Sequence, residues 1–565
     1  MNKNYPLYSV TKFYDFKEMM DIAVREDGDK TALKYKSKGT VKEITYKELE
    51  EKTDKLGTAL SSLGFKNCKF AVISENSYKW ITTFITVLKG AGVMVPIDKD
   101  LPEDEMLHLV NKSDATVLFF SAAKKPFVEG NKDKMPNIKL FINFDDHSNG
   151  EWYSSFYRLL ELGGKELDSG NRTYLEQSNR RDDLKMIVFT SGTTGSAKGV
   201  MISLRNLTSM VYYGLQTITV DGVGLSVLPY HHMYEAVCDI LGSFHKHCTV
   251  CVNESLRAVS ENLKLYKPDY ILVVPVFVEF FYNAVWKKAE KTGKAETLRN
   301  SIKISNALRK TGIDLRSRFF AKILDSFGGN LKMIVTGGAP LREELGDFFD
   351  AIGIKLRNGY GITECSPLLC VNRNDYSDHH TVGVPVPCVD IKIYQPDENG
   401  DGEIVAKGDT VMLGYYKNRA ATDAVLKDGW FHTGDIGHFN KDGRLVITGR
   451  KKNLIVLKNG KNVYPEEIEG YLSSSEYIAE VVVYGIKNEA GQETGLLAEI
   501  YPDPDRTKGM TEKEIKDKLW ADVKSIMSCH ATYKHISEIK LRETEFEKTT
   551  SKKIKTKLQQ LNSPL

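Results

Sequence analysis

Apolar positions in the first 110 residues or so alternate between two periods. In YKELEEKTDKLGTALSSLG, Leu49, Leu56, Ala59, Leu60 and Leu63 recur at helical spacing. KFAVIS is a short apolar run that predicts a buried strand. NSYKWITTFITVLKGAG predicts a helix, VMVPID a strand, PEDEMLHLVNK a polar helix and ATVLFF a strand. This rhythm predicts parallel sheets flanked by helices.

Residues 123–183 are more polar and less periodic, and predict a loop-rich connection. The rhythm then resumes. PDYILVVPVFVEFFYNAVW predicts a strand, a proline and a helix, and LKMIVTGGAPLREELGDFF a strand, a glycine turn and a helix. From Val382 to Thr448, short strands separated by Gly and Asp turns predict a β-rich subdomain. After Arg450 come the strands AEVVVYGI and GLLAEIYP and the charged helix TEKEIKDKLWADVKSI. The expected architecture is α/β. A large N-terminal domain (1–450) combines parallel sheets, helices and the β-rich part, and a small α+β domain (451–565) follows.

Length and composition narrow the class. A chain of 565 residues is too long for one simple core. With 41% hydrophobic and 27% charged residues it reads as globular. A net charge of +3 argues against nucleic acid as a partner and leaves a local membrane-surface contact open. MNKNYPLYSVTKFYDF lacks the apolar core of a secretory signal, and no run of eighteen apolar residues occurs. Together with eight sparse cysteines, this predicts a cytoplasmic protein with reduced thiols. His245, His247, Cys248 and Cys251 are metal-ligand types, but CTVCV predicts a strand with the two cysteines on opposite faces. No second ligand pair follows at zinc-site spacing.

The strongest local signal is an apolar strand running into Thr190-Ser191-Gly192-Thr193-Thr194-Gly195-Ser196-Ala197-Lys198. Phosphate oxygens need many short donors at close range. Glycine lets backbone N–H groups approach, hydroxyls add donors, and Lys198 adds charge. The loop is not the NTPase P-loop, because Ala197 and Gly199 flank the lysine where that motif has Gly and Ser/Thr. That disfavours a kinase or NTPase. Asn358-Gly359-Tyr360-Gly361-Ile362-Thr363-Glu364 offers an exposed backbone, a ring for stacking, a hydroxyl donor and a hard-oxygen ligand suited to Mg²⁺. Gly337-Gly338-Ala339-Pro340 is a further close-approach turn after a buried strand.

Six motifs in order, TSGTTGSAKGV, GGAPL, NGYGITE, WFHTGD, GRKKNLIVLKNGKNVYPEEIE and FEKTTSKKI, resemble those of the adenylate-forming superfamily. That group includes acyl-CoA synthetases, firefly luciferases and peptide-synthetase adenylation domains. The resemblance implies an active site between a large domain and a small mobile one. It implies that Thr190 to Lys198 hold the ATP phosphates and that Gly338, Ala339 and Tyr360 meet adenine. Gly337, Pro340, Asn358, Gly359 and Gly361 lie in the same nucleotide-binding motifs. It further implies that Asp435 and Arg450 grip the ribose and that Thr363 and Glu364 serve the reacting phosphates, with Mg²⁺ on Glu364. Lys553 matches the catalytic lysine, although Glu547 and Lys552 replace the family's Pro and Gly. Lys452 matches the hinge, and Lys458, Asn459 and Gly460 match the path of coenzyme A.

Leu228-Pro229-Tyr230-His231-His232-Met233-Tyr234-Glu235 resembles the LPxxHxxE stretch of long-chain acyl-CoA synthetases and lacks the Asp of amino-acid-activating domains. His232 takes the position beside the substrate carboxylate. The resemblance therefore implies ATP-dependent activation of a medium- or long-chain fatty acid, followed by transfer to coenzyme A. An enzyme delivering the acyl group to a carrier protein would differ only in its acceptor surface. A nucleotide-binding regulatory protein without turnover is the reading from another class. Retention of Glu364, Asp435, Arg450 and Lys553 argues against it.

Overall fold

The computed structural model describes residues 6–190, 197–458, 461–488, 491–548 and 554. The architecture is mixed α/β, as the periodicity predicts. A nine-stranded sheet has six parallel strands, including Val223–Ser226, Tyr270–Val273, Met333–Gly337 and Lys355–Gly361. Antiparallel strands finish both of its edges. An eight-stranded sheet carries Cys68–Ile73, Gly92–Pro96 and the antiparallel pair Leu184–Thr190 and Lys198–Ser203.

Residue alternation shows the layering. In Tyr270–Val273, Tyr270 and Leu272 join the largest apolar cluster, while Ile271 and Val273 join a second. The largest cluster also takes Phe70 and Met94 from the other sheet, whose Ala71 and Ile73 face a different cluster. Period-2 strands thus bury both faces of both sheets, with helices such as Tyr46–Ser62 and Leu204–Thr217 between them. Thr45 and Glu48 cap the first of these helices reciprocally. Cys251 on the strand Thr249–Val252 falls in the second cluster and Cys248, just before that strand, in the first. Among the described residues, no group of three His, Cys, Asp or Glu side chains is placed to hold a metal ion.

Val389–Tyr394, Gly402–Gly408, Leu426–Lys427, Trp430–Phe439 and Leu445–Arg450 form the β-rich part, a five-stranded antiparallel sheet. Beyond it, Ile478–Lys487, Glu493–Pro502 and Glu538–Leu541 form a three-stranded sheet. Helices Pro465–Leu472 and Glu512–Met527 close a separate apolar core on it.

One expectation is corrected. The stretch 123–183 contains strand Leu140–Asn143 and helices Lys125–Asn131 and Phe156–Asp168. Its polar composition and the Gly163-Gly164 pair hid the longer helix. Gly163 is there for contact, not as a break. A β-carbon at Gly163 would lie 1.7 Å from the Lys55 carbonyl oxygen, so this helix packs against backbone of Tyr46–Ser62. Gly163→Ala must push the helices apart and should destabilise the protein by about 1–3 kcal/mol. A β-carbon at Gly164 would meet only the flexible Lys55 side chain, at 3.4 Å. Gly164→Ala should therefore be neutral or stabilising by up to about 1 kcal/mol, from helix propensity. Denaturant melts of the two variants check this; equal effects would contradict the packing account.

Candidate nucleotide and acyl site

The candidate residues gather where the parallel strands end, which is where open α/β sheets bind ligands. Gly337 ends its strand in parallel register with Gly359. Gly338 follows at φ +85, a conformation that suits glycine, and leaves Ala339 and Pro340 exposed beyond it. The next strand runs through Tyr360, buried, whose hydroxyl donates to Asp435 Oδ2 at 2.7 Å. Burial and the Asp435 charge hold this phenol well above its ordinary pKa, so it stays a donor.

Asp435 sits opposite Arg450 across two antiparallel strands, with Arg450 Nε 3.0 Å from Oδ1. Thr433 fixes the turn: its hydroxyl accepts from the Asp435 N–H at 3.0 Å and donates to the Ile404 carbonyl at 2.7 Å. A carboxylate offers about four acceptor positions, so Asp435 has capacity left for a ligand. Arg450 is half exposed and Asp435 almost wholly buried, so the pair presents one wet edge.

Thr363 and Glu364 lie on the turn Thr363–Cys365 directly after this strand. Glu364 Oε1 accepts a 2.8 Å hydrogen bond from the Tyr415 hydroxyl. Tyr415 pairs with Val200 on the edge of the eight-stranded sheet, and Lys198 Nζ lies 5.1 Å from its ring centroid. One tyrosine thus links Lys198, at the end of the candidate phosphate loop, to the carboxylate. Sequence reasoning missed it; its signal was the Gly414-Tyr415 pair in a turn-rich stretch. Thr190 pairs with Lys198 across the hairpin. Ser191, Gly192, Thr193, Thr194 and Gly195 lie outside the described residues, as do Asn459, Gly460 and Lys553.

Other candidates are placed differently. The Asn358 amide is turned inward, donating to the Thr381 carbonyl at 2.9 Å and accepting from Asn372. It holds the backbone beside the site, and its side chain is spent there. Lys452 lies on a turn between the last strand of the five-stranded sheet and Ile455–Val456. Lys458 is exposed and anchored by its backbone N–H on the Glu493 carbonyl at 2.8 Å. His232 follows the turn at Pro229, and its ring packs 4.2 Å from that of His231. Burial pushes His231 down to about 4, so it is a neutral ring at physiological pH.

The comparisons with known proteins decide the family. Residues 20–416 match the AMP-binding enzyme family, and residues 452–560 match the AMP-binding enzyme C-terminal domain. The chain belongs to the AMP-binding enzyme family. Human long-chain-fatty-acid–CoA ligase 1 is 31% identical over 497 residues, 81% of this chain and 69% of that protein. Long-chain-fatty-acid–CoA ligase FadD15 of Mycobacterium bovis is 29% identical over 513 residues, 87% of this chain and 82% of the relative. The crystal structure of the anthranilate CoA ligase AuaEII with anthranoyl-AMP superposes at TM-score 0.75 and 18% identity, covering 96% of both chains. A Mycobacterium tuberculosis fatty acyl CoA synthetase gives TM-score 0.65 at 21% identity, again covering 96% of each. The fold is therefore that of adenylate-forming enzymes.

Beside the nucleotide candidates, this AMP-binding enzyme has an apolar cavity of about 120 Å³. Met210, Leu215, Val237, Leu272, Val335 and Leu368 line it, and it reaches Gly337, Gly338 and Gly359 to Gly361. The last charged residue of the LPxxHxxE stretch lies behind its wall. Glu235 is fully buried, bonded to Ser226 Oγ at 2.6 Å, one helical turn from buried Asp239. Burial and the Asp239 charge push the Glu235 carboxyl well above the usual range, and burial pushes Asp239 up to about 6.

The sign of the resulting pH dependence follows. The folded state keeps the Glu235 proton at pH values where the unfolded chain has lost it. The folded state then binds more protons, and stability falls as pH rises from about 4.3 toward the raised folded pKa. Glu235→Gln cannot ionise, so its unfolding free energy should gain on the parent's as pH rises from about 4.5 to about 8. Denaturant melts across that range check this. A constant difference would mean that Glu235 titrates as an exposed carboxyl.

Proposed function

We propose that this enzyme is an AMP-forming acid–thiol ligase that activates a medium- or long-chain fatty acid with ATP and passes it to coenzyme A. The observation that carries the reading is the apolar cavity, about 120 Å³, that reaches the glycines beside Tyr360, Asp435 and Glu364. A wall of Met, Leu and Val offers an acyl chain burial of about 0.8 kcal/mol per methylene. The similarity to curated long-chain-fatty-acid–CoA ligases over most of the chain supports the same class.

In this reading a carboxylate oxygen attacks the α-phosphorus of ATP, an acyl–phosphate bond forms and pyrophosphate leaves. The thiol sulfur of coenzyme A then attacks the acyl carbon and AMP leaves. Little covalent chemistry falls to the protein; positioning and charge neutralisation carry the rate. Thr190, Lys198 and the loop between them hold phosphates. Gly338, Ala339 and Tyr360 take adenine, and the Asp435–Arg450 pair takes ribose hydroxyls. His232 lies beside the carboxylate. Lys553 serves the adenylation step, where its removal should cost roughly 2–4 kcal/mol. A boundary at 450 with Lys452 as hinge lets Lys458 to Gly460 replace Lys553 for the thioester step.

Glu364 fits a magnesium ligand. Mg²⁺ takes one or two carboxylates and completes its shell with phosphate oxygens and water. Tyr415 fixes Oε1 of Glu364, and no partner engages Oε2 among the described residues. Bound there, the ion would neutralise charge on the phosphates. Tyr415→Phe keeps the ring beside Lys198 and removes the bond to Glu364. The Mg²⁺ concentration for half-maximal pyrophosphate release should rise about tenfold, with KM for the acid unchanged. An unchanged Mg²⁺ dependence would remove Tyr415 from this role.

The reading is tested by CoA-dependent AMP release over acids from acetate to oleate. Turnover should peak with medium or long chains. Acid-dependent pyrophosphate release without CoA-dependent thioester would point to a carrier-protein acceptor, and no acid-dependent turnover would overturn the reading. Gly242→Leu supplies the structural control. A β-carbon at Gly242 would meet nothing closer than 3.8 Å, so the added side chain projects into the cavity. It should cut kcat/KM for long acids by about tenfold or more while sparing short ones. An even loss across the panel would place the acyl chain elsewhere.

A further inference from the structure

The helical segment between the strands Tyr270–Val273 and Met333–Gly337 does nothing in the chemistry above, yet its surface is unlike the rest of the chain. Residues 294–322 contain eight basic side chains and two acidic ones, a net +6 in a protein whose total is +3. Both acidic residues are engaged locally: Glu296 lies 3.7 Å from Arg299, and Asp314 pairs with Arg316. Among the described residues, Lys303, Arg309, Lys310, Arg318 and Lys322 have no ion pair or side-chain hydrogen bond.

Large apolar side chains are exposed between these charges. Ile304, Ile313, Leu315 and Phe319 are 54, 49, 36 and 43% exposed, four of the fifteen exposed large hydrophobics among the described residues. The segment is nonetheless well anchored. Leu298 and Phe320 are buried in the apolar cluster on the outer face of the nine-stranded sheet, with Ile302 packed against it. Helix Ala295–Lys310 therefore turns Leu298, Ile302 and Ser305 inward and Lys303, Ile304, Ala307 and Lys310 outward. Exposed aliphatic and aromatic groups are costly in water, while the cations among them are solvated there. They are stabilised together where an anionic layer lies over hydrocarbon.

We propose that residues 294–322 form a docking surface for an anionic lipid bilayer, with Ile304, Ile313, Leu315 and Phe319 entering the headgroup region and the lysines and arginines meeting lipid phosphates. Among the described residues no helix is long and apolar enough to cross a membrane. The purpose of the docking, collecting an acid dissolved in the bilayer, rests on the fatty-acid reading; the contact itself does not.

The test is sedimentation of the full-length protein with sucrose-loaded vesicles, without nucleotide or coenzyme A. One set is phosphatidylcholine alone, and the other carries about one-third phosphatidylglycerol. The parent should pellet with the anionic vesicles and stay in solution with the neutral ones, with binding falling as salt rises. Each basic residue near such a surface is worth roughly fivefold in partitioning, so K303E/K310E/R318E should weaken binding by about 100-fold or more. I304S/F319S keeps every charge and should weaken it by about tenfold or more. Thermal melts confirm that both variants are folded. Vesicle binding equal to the parent's in both variants would overturn the proposal and move the contact to another part of the chain. Failure of the parent to bind anionic vesicles would also overturn it, leaving an acidic protein surface as the occupant. Acid-dependent pyrophosphate release on the same samples reports the ligase reading separately, so the two can fail independently.

Discussion

Two tyrosine–carboxylate hydrogen bonds hold the candidate site together, because its residues come from three sheets that share no backbone ladder. Tyr360 reaches from the parallel nine-stranded sheet to Asp435 on the antiparallel five-stranded one. Tyr415, paired to the eight-stranded sheet, reaches Glu364. A hydrogen bond to a charged acceptor contributes about 1.5–3 kcal/mol, roughly twice a neutral one, and fixes direction as well. Loss of the Tyr415 bond would free Glu364 to reorient without dissolving any core, whereas Asp435 without Tyr360 would still keep Arg450. The phenols suit this use. Burial raises their pKa, so each stays protonated and can only complement the negative oxygen it faces.

Much of the fold was readable in the chain because it is written in local periods. The helix at 46–62 and the strand at 68–73 carry their own patterns, and so does the strand–proline–helix unit beginning at Tyr270. The helix Phe156–Asp168 did not, because its defining contact is Gly163 against the backbone of Lys55, more than a hundred positions earlier. A glycine required for close approach looks the same in sequence as one required for a turn. The glycine and hydroxyl motifs were legible for a related reason: their chemistry is local. Tyr415 acts on a carboxylate 51 positions away, so no window around it announces the role. Asn358 shows the converse. It stands inside a legible motif, but its side chain is consumed by Thr381 and Asn372, which the motif does not contain.

The apolar cavity is assembled from elements far apart in sequence. Its wall draws on helix Leu204–Thr217, the turn of helix at Tyr234–Leu241, and strands Tyr270–Val273, Met333–Gly337 and Leu368–Val371. In sequence each contributor reads as ordinary core, since Leu and Val in a helix or strand look alike whether they meet protein or a void. Only the packed arrangement separates the two. The buried Glu235 and Asp239 behind that wall are conspicuous in the opposite sense. They are acidic groups placed where a carboxylate is most costly, and the folded state accommodates them by keeping protons on them.

In the proposed reaction the division between wet and dry surface does chemical work of its own. An apolar chain binds the cavity equally in ground and transition states, so its burial draws the acid in without speeding the attack. Rate must come from groups that meet charge as it develops, and these are all on the other side of the glycine-lined rim. Of the rim glycines, Gly338 stands in the open, where a β-carbon would meet nothing closer than 3.9 Å; β-carbons at Gly337, Gly359 and Gly361 would instead press on neighbouring backbone at 3.1, 2.9 and 2.0 Å. A substrate whose tail fills the cavity can then set its carboxylate against the phosphates without a side chain between them. On this account Gly338 serves catalysis by absence of bulk, and a substitution there should act on positioning more than on affinity for the acyl chain.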